Sequence, residues 1–292
     1  MKKIDGKALA TTVREQVKQE IADSGVKPKL AVLLVGEDAA SHIYVNLKEK
    51  SAHEAGIETD IRRLPDTTSE QELRQIVETW NDNPSVDAIL IQIPLPKNYD
   101  QEAIIQIMDP AKDVDGFHPS NVEALMAGTG DLFPPVHEGI LRLIAATGVL
   151  INGGKAVIIA NSEIFANPLN KLLSSAGCFV TKCGPEDYER EILQSADIII
   201  VAVGRANFLK RDMIKSGACI IDVGTNRTAE GKVVGDVDVE DTKDIPGWLS
   251  PVPGGVGPMT VAMLLKNTLK LAKRRASKSQ TPNPKSQIDF KI

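Results

Sequence analysis

Ser41, Tyr44 and Lys48 in ASHIYVNLKEK (40–50) are spaced three and then four positions apart. On a helix that spacing puts them on one face, either a polar row able to hold a ligand or a solvated amphipathic surface. In IQIPLP (91–96), Gln92 stands between Ile91 and Ile93 at the end of an apolar run. Open α/β sheets bind ligands at the carboxyl ends of their strands, so Gln92 is a site group or a satisfied core amide. In DPAKDVDGFHPSN (109–121), Asp113 and Asp115 bracket a valine before Gly116. Paired acids there form the turn, or one of them faces a ligand's N–H donors. The loop SPVPGGVGPMT (250–260) contains Pro253, Gly254, Gly255, Val256 and Gly257, a rigid backbone that a flat ligand can approach closely.

These residues need elements to position them. Leu9, Val13, Val17 and Ile21 recur every four residues and predict a helix ending near Ser24-Gly25. LAVLLV (30–35), IETDIRRL (57–64) and VDAILIQI (86–93) predict strands, with helices over 39–55 and SEQELRQIVETW (69–80) between them. That βαβαβ order implies a parallel sheet. A Gly- and Pro-rich passage, MAGTGDLFPPVHEG (126–139), reads as the crossover to a second domain. The alternation then resumes: strand 155–160, helix 167–175, strand 179–183, helix 186–195 and strands 198–203 and 218–223, a Rossmann-like unit. A last helix is expected over 259–273. Residues 274–292 are polar and read as a mobile tail. The expected class is therefore α/β with two domains. An N-terminal parallel α/β domain (1–135) is completed by the C-terminal helix (256–273), and a Rossmann-like dinucleotide domain occupies 136–255.

The totals narrow the function. The chain has 292 residues, a net charge of −5 and 4% aromatic residues. Neither charge nor aromatics favour nucleic acid or an anionic membrane. Cys178, Cys183 and Cys219 lack metal-ligand spacing and fit a reducing compartment, so no metal is expected. The first residues carry no apolar core of signal-peptide length, and no run approaches a membrane span. A cytoplasmic protein is expected.

The four motifs, in the order S-x-x-Y-x-x-x-K, Q-x-P-L-P, K-D-V-D-G-F and P-V-P-G-G-V-G-P-M-T, closely resemble the bifunctional methylenetetrahydrofolate dehydrogenase/methenyltetrahydrofolate cyclohydrolase family. DIIIVAVG, GACIIDVGTN and GDVD fit it too, and the likeness runs from about Ile4 to Lys273. The resemblance implies oxidation of 5,10-methylenetetrahydrofolate with NADP or NAD, then hydrolysis to 10-formyltetrahydrofolate, in a cleft between two domains of a homodimer. It makes tetrahydrofolate derivatives the small-molecule partners. By it Lys48 is the central catalytic residue, Gln92 orients it, Tyr44 lies against the folate rings and Asp115 accepts from the pterin. Ser41, Ile91, Ile93 and Pro253 to Gly257 complete the folate slot. A lysine in a partly dry cleft has a lowered pKa and handles protons near neutral pH.

The cofactor positions differ. The resemblance places Ala160, Asn161, Ser162, Pro185 and Thr225 there, but where the family reads G-R-S-x-x-V-G-x-P this chain has Ala160 to Pro168, ANSEIFANP. The arginine for a 2′-phosphate is Asn161, both glycines are alanines, and Phe165 adds bulk beside the pyrophosphate path. After the next strand stands GPED (184–187), two acids that would repel a 2′-phosphate or bind a plain ribose diol. Near the expected nicotinamide, His137 is a newcomer and reads as a filler. These departures predict a cyclohydrolase with weak or lost NADP-dependent dehydrogenase activity, its nucleotide cradle filled by side chains. The alternatives are a bifunctional enzyme using NAD or NADP, and a non-catalytic folate-binding paralogue.

Overall fold

The computed structural model describes residues 1–280. In chain order its first half contains β1 (Lys2–Lys3), α1 (Gly6–Ser24), β2 (Lys29–Val35), α2 (Ala39–Ala55), β3 (Glu58–Leu64), α3 (Glu70–Asp82), β4 (Ala88–Ile91), α4 (Gln101–Ile107) and α5 (Pro119–Ala127). The second half contains α6 (Pro135–Ala145), β5 (Lys155–Ala160), α7 (Glu163–Ser175), β6 (Phe179–Cys183), α8 (Arg190–Ser195), β7 (Ile198–Ala202) and β8 (Cys219–Asp222). A short hairpin of β9 (Asn226–Arg227) and β10 (Val233–Val234) follows, then α9 (Val239–Thr242), β11 (Trp248–Leu249) and α10 (Val256–Gln280).

The chain divides into two compact units. One comprises Arg14–His118 with the chain from Leu264 onward, the other Met1–Val13 with Pro119–Met263. In the first, three parallel strands lie in the order β3-β2-β4. β2 is central and nearly all buried, which its unbroken apolar run KLAVLLV requires. Ala31, Leu33, Ile89, Ile91, Val77 and Trp80 share its main core cluster. Helix α2, which carries the serine–tyrosine–lysine row, is fixed at both ends. Asp38 accepts from the Ser41 N–H at 2.7 Å, and Gly56 closes the helix in the left-handed region at φ 85°.

The second unit holds a six-stranded sheet in the order β1-β11-β8-β7-β5-β6, every pair parallel. Two buried carboxylates tie the loops at its carboxyl edge. Asp222 accepts from the N–H groups of Gly224, Asp236 and Val237 at 3.0, 2.9 and 3.0 Å. Asp236 accepts from those of Val203, Gly204 and Arg205 at 2.7, 3.1 and 2.8 Å, and from the Asn226 amide at 2.9 Å. A methyl on Gly224 would strike the Asp236 carboxylate, and one on Gly235 the Asp222 carboxylate, so these glycines are set by packing.

Several elements differ from the sequence expectation. Helix α4 lies in a stretch to which the sequence pattern assigns no element, and α5 and α6 overlap stretches that read as a turn and a crossover. Pro119 and Pro135 each stand in the first turn of a helix, where a missing N–H costs nothing. Helix α7 begins at Glu163 rather than 167, which leaves Pro168 inside it. Helix α8 begins at Arg190 rather than 186, so Glu186 and Asp187 stand in the preceding loop.

Helix α10 continues past 273 to Gln280, and residues 274–280 of the expected mobile tail are helical. The rest of that tail, 281–292, lies outside the described residues. Arg275 explains part of the extension. Its guanidinium grips the buried carboxylate of Asp87 and donates to the Pro84 carbonyl at 3.0 Å. Asp87 also accepts from the Lys29 N–H at 2.9 Å. Arg275→Ala leaves that carboxylate short of its cation, and the expected loss is about 1–3 kcal/mol. Urea unfolding measures it; an unchanged midpoint would show that the grip contributes nothing.

Candidate functional site

The serine–tyrosine–lysine row is not a solvated face. Ser41 is buried, Tyr44 is half-buried and Lys48 is 9% exposed, while Ile43 and Leu47 on the same helix are the exposed ones. Lys48 Nζ donates to Gln92 Oε1 at 2.9 Å. The Gln92 amide nitrogen donates to the Ile93 carbonyl at 2.8 Å, and its backbone N–H to the Leu33 carbonyl at 2.9 Å. The side-chain oxygen is therefore held toward the amine. Ile91, which closes β4, is buried, and Ile93 is half-buried.

The segment after α4 delivers the acid. Val114 and Ile89 exchange backbone contacts with the edge of β4, where Ile89 donates to the Lys112 carbonyl at 2.7 Å and Val114 to the Ile89 carbonyl at 3.3 Å. Asn267 of α10 donates to the Val114 carbonyl at 3.0 Å. Two residues of the K-D-V-D-G-F motif are structural. Lys112 caps the end of α3 through the carbonyls of Trp80, Asn81 and Asn83 at 2.8, 2.6 and 2.8 Å. Asp113, fully buried, accepts from the N–H groups of Gly116 and His118 at 2.9 and 2.8 Å. Asp115 is left for other work.

Burial lowers the pKa of Lys48, and the nearby Asp115 charge opposes that shift. Burial raises Asp115 to about 6, and Lys48 holds it back from rising further. The low dielectric pushes both groups toward neutrality, the condition an amine needs to accept a proton. Pro253 to Gly257 belong to the other unit, before and in the first turn of α10. There the Gly254 and Gly255 carbonyls pack so close to Gly6 that a side chain on Gly6 would strike them.

The cofactor positions gather at a different place. Ala160, Asn161, Ser162 and Pro185 line one cavity of about 490 Å³, with Glu163, Ala166, Lys182, Cys183, Gly184 and Asp187. Thr225 is exposed and is not in that lining. The expectation of a cradle filled by side chains is corrected here. The Asn161 amide is drawn aside onto the Val203 carbonyl at 2.6 Å. Phe165 packs instead against the buried ring of His137, centroids 5.1 Å apart. The space at the carboxyl ends of β5 and β6 stays open.

That cavity fits a nucleotide. Its volume is in the ordinary range for a small-molecule site. It adjoins the N-terminus of α7, and the Ser162 side chain makes no capping bond there. The first N–H groups of such a helix suit a phosphate. Sequence reasoning passed over Lys182 in the lining. The signal for it was its place next to the last residue of β6, at the ligand-binding edge. His137 is fully buried, and neither ring nitrogen has a hydrogen-bond partner. Its role as a filler is consistent with burial, but its polar atoms are not satisfied. Among the described residues no cluster of three or more His, Cys, Asp or Glu could hold a metal ion, and no helix is long and apolar enough to cross a membrane.

Comparison with known proteins agrees with this arrangement. Residues 4–115 match the tetrahydrofolate dehydrogenase/cyclohydrolase catalytic domain, and residues 134–276 match the NAD(P)-binding domain of the same name. A bifunctional protein FolD of Campylobacter hominis is 46% identical over 279 residues, covering 94% of this chain and 98% of the relative. The crystal structure of the bifunctional FolD of Campylobacter jejuni superposes with a TM-score of 0.89 at 41% identity, covering 94% and 99% of the two chains. The Trypanosoma brucei FolD complexed with NADP and an inhibitor gives a TM-score of 0.89 at 30% identity, covering 95% and 98%. The chain belongs to the tetrahydrofolate dehydrogenase/cyclohydrolase family.

Proposed function

We propose that this protein is a bifunctional enzyme of folate one-carbon metabolism, acting in the cytoplasm as a homodimer. It oxidises 5,10-methylenetetrahydrofolate with a nicotinamide dinucleotide and hydrolyses the methenyl product to 10-formyltetrahydrofolate. The observation that carries this reading is the buried amine of Lys48 fixed on Gln92 at 2.9 Å beside Asp115. The open cavity favours it over the expectation of weak or lost dehydrogenase activity, as do the bifunctional relatives.

The hydrolytic step follows from the amine. The methenyl carbon is part of a cationic amidinium, and an ammonium beside it would be repelled. A neutral Lys48, one N–H committed to Gln92, keeps its lone pair for a water molecule. Water adds to the methenyl carbon, a C–O bond forms, and Lys48 takes the proton. The resulting ammonium returns that proton to the ring nitrogen as its bond to carbon breaks. The carbinol O–H proton leaves to solvent, which gives the formyl group and balances the overall release of one proton. Asp115 accepts from the pterin N–H and amino groups, a paired geometry that a carboxylate suits. Tyr44 lies against the folate rings.

For the oxidation, the dinucleotide supplies the acceptor for the hydride that leaves the methylene carbon. The chain's own part is to hold it, with the α7 N-terminus at the diphosphate and Ala160, Asn161, Ser162 and Pro185 around it. Incubation with methylenetetrahydrofolate and either NAD or NADP is expected to produce reduced dinucleotide and then 10-formyltetrahydrofolate. Both products are followed by absorbance. No reduction of either dinucleotide would leave only the cyclohydrolase; methenyl substrate untouched as well would leave only the folate-binding paralogue.

A further inference from the structure

The charges around the nucleotide cavity are already committed, except for one. Lys182 projects from the end of β6, and its ammonium is held by the Asn167 amide oxygen and by Glu163 Oε2 at 3.5 Å. Glu186, just outside the lining, is neutralised by Arg205 at 2.5 Å. Arg205 is itself set in place by its backbone N–H on Asp236 at 2.8 Å. Asn161, where a cation would grip a 2′-phosphate, is neutral and bonded to the Val203 carbonyl. Asp187 remains. It lines the cavity beside Gly184, just past the end of β6, and among the described residues no cation is paired with it.

In a strand–helix–strand nucleotide unit, the acid after the second strand is where a ribose diol is read. Here that unit is β5-α7-β6, with β6 paired parallel to β5 in unbroken register from Lys155↔Phe179 to Ile159↔Cys183. A carboxylate accepts both hydroxyl hydrogens of a diol. A 2′-phosphate brings about two negative charges to the same point, and Asp187, although exposed, repels them at close range. The carboxylates facing the cavity, Glu163 and Asp187, outnumber its one lysine.

We propose that Asp187 is the residue that makes this cavity select an unphosphorylated adenosine ribose, so that the chain takes NAD in preference to NADP. The inference rests on the reading of the cavity as a dinucleotide site. Asp187 acts on the ribose hydroxyls and on the repulsion of phosphate, and Asn161 acts by withholding a cation.

The test is isothermal titration of the full-length protein with NAD and with NADP, in wild type, Asp187→Asn and Asp187→Ser/Asn161→Arg. In the wild type NAD is expected to bind at least about tenfold tighter than NADP. Asp187→Asn, nearly the same shape without the charge, is expected to shrink that ratio by about tenfold, chiefly by tightening NADP. The double variant is expected to prefer NADP, and its circular dichroism melt checks that it is folded. NADP binding tighter than NAD in the wild type would overturn the proposal, because Lys182 would then have left Glu163 for the phosphate. A ratio unchanged by Asp187→Asn would overturn it equally, while leaving the dinucleotide site standing. Binding of neither dinucleotide to the wild type would remove the site and the selectivity together.

Discussion

Lys48→Met is expected to slow hydrolysis of methenyltetrahydrofolate by roughly 10²- to 10⁴-fold, the range a positioned acid–base group contributes. Methionine keeps most of the length and the apolar stem, so the loss reports the amine. Burial strengthens the case: a fully solvated lysine stays protonated at neutral pH, whereas burial lowers this one, and only the opposing charge of Asp115 limits the fall. The rate in the wild type is therefore expected to rise with pH as Lys48 loses its proton. Lys48→Arg separates charge from proton transfer. A guanidinium can still donate to Gln92 but stays protonated, so it is expected to be as inactive as methionine. Stopped-flow decay of the methenyl absorbance measures all three proteins. An arginine variant with near wild-type rate would mean that positive charge, not a neutral base, does the work.

His137 sets the second large effect, on stability. Its ring is fully buried against Phe165 with neither nitrogen in a well-formed hydrogen bond; burial pushes its pKa down from 6.5 to about 4, and the Phe165 backbone opposes that shift only in part. The unfolded chain takes up the proton first as pH falls, so the native state loses stability between about pH 6.5 and 4 and nothing further below that window. The full loss is about 3 kcal/mol. Asp115 and Asp222 act with the opposite sign. Burial raises each to about 6, so their folded forms bind protons above the usual carboxylate range and stability grows as pH falls through that range. The wild-type curve alone is thus flattened by cancellation. Subtracting the curve of His137→Leu, which cannot titrate, isolates the histidine. Denaturant unfolding at pH 7 and pH 4.5 is expected to show the variant gaining on the wild type as pH falls. Parallel curves would mean that the ring finds a partner in solution.

The sequence was most legible where one physical demand acts alone. Strands β2, β5, β7 and β8 are unbroken apolar runs because both faces of a parallel sheet are covered, and that pattern has few rivals. For Lys48 and Gln92, spacing gave only a shared helix face and a strand end, each with a bland alternative; the resemblance singled them out, and the fold brings the two side chains together. Where two demands compete, the reading failed. Pro119 and Pro135 look like breakers yet start helices, since the fixed φ of proline serves both uses. Glu186 and Asp187 read as a pair of equal acids. Only the folded chain separates them, because Arg205, from the next strand's loop, neutralises one and leaves the other. The blocked cradle failed for the same reason. Phe165 is larger than the valine it replaces and the alanines at 160 and 166 are larger than glycine, but where the Phe165 ring and the Asn161 amide turn depends on His137 and Val203, which lie far along the chain.

Asp222 and Asp236 hold the loops of the sheet's carboxyl edge through peptide N–H groups, which every residue but proline supplies. Gly224 and Gly235 apart, side chains on those loops can therefore be exchanged without moving the frame that presents them. Drift in the sequence of these loops leaves the carboxyl edge of the sheet in place for as long as the two carboxylates and the two glycines packed on them persist.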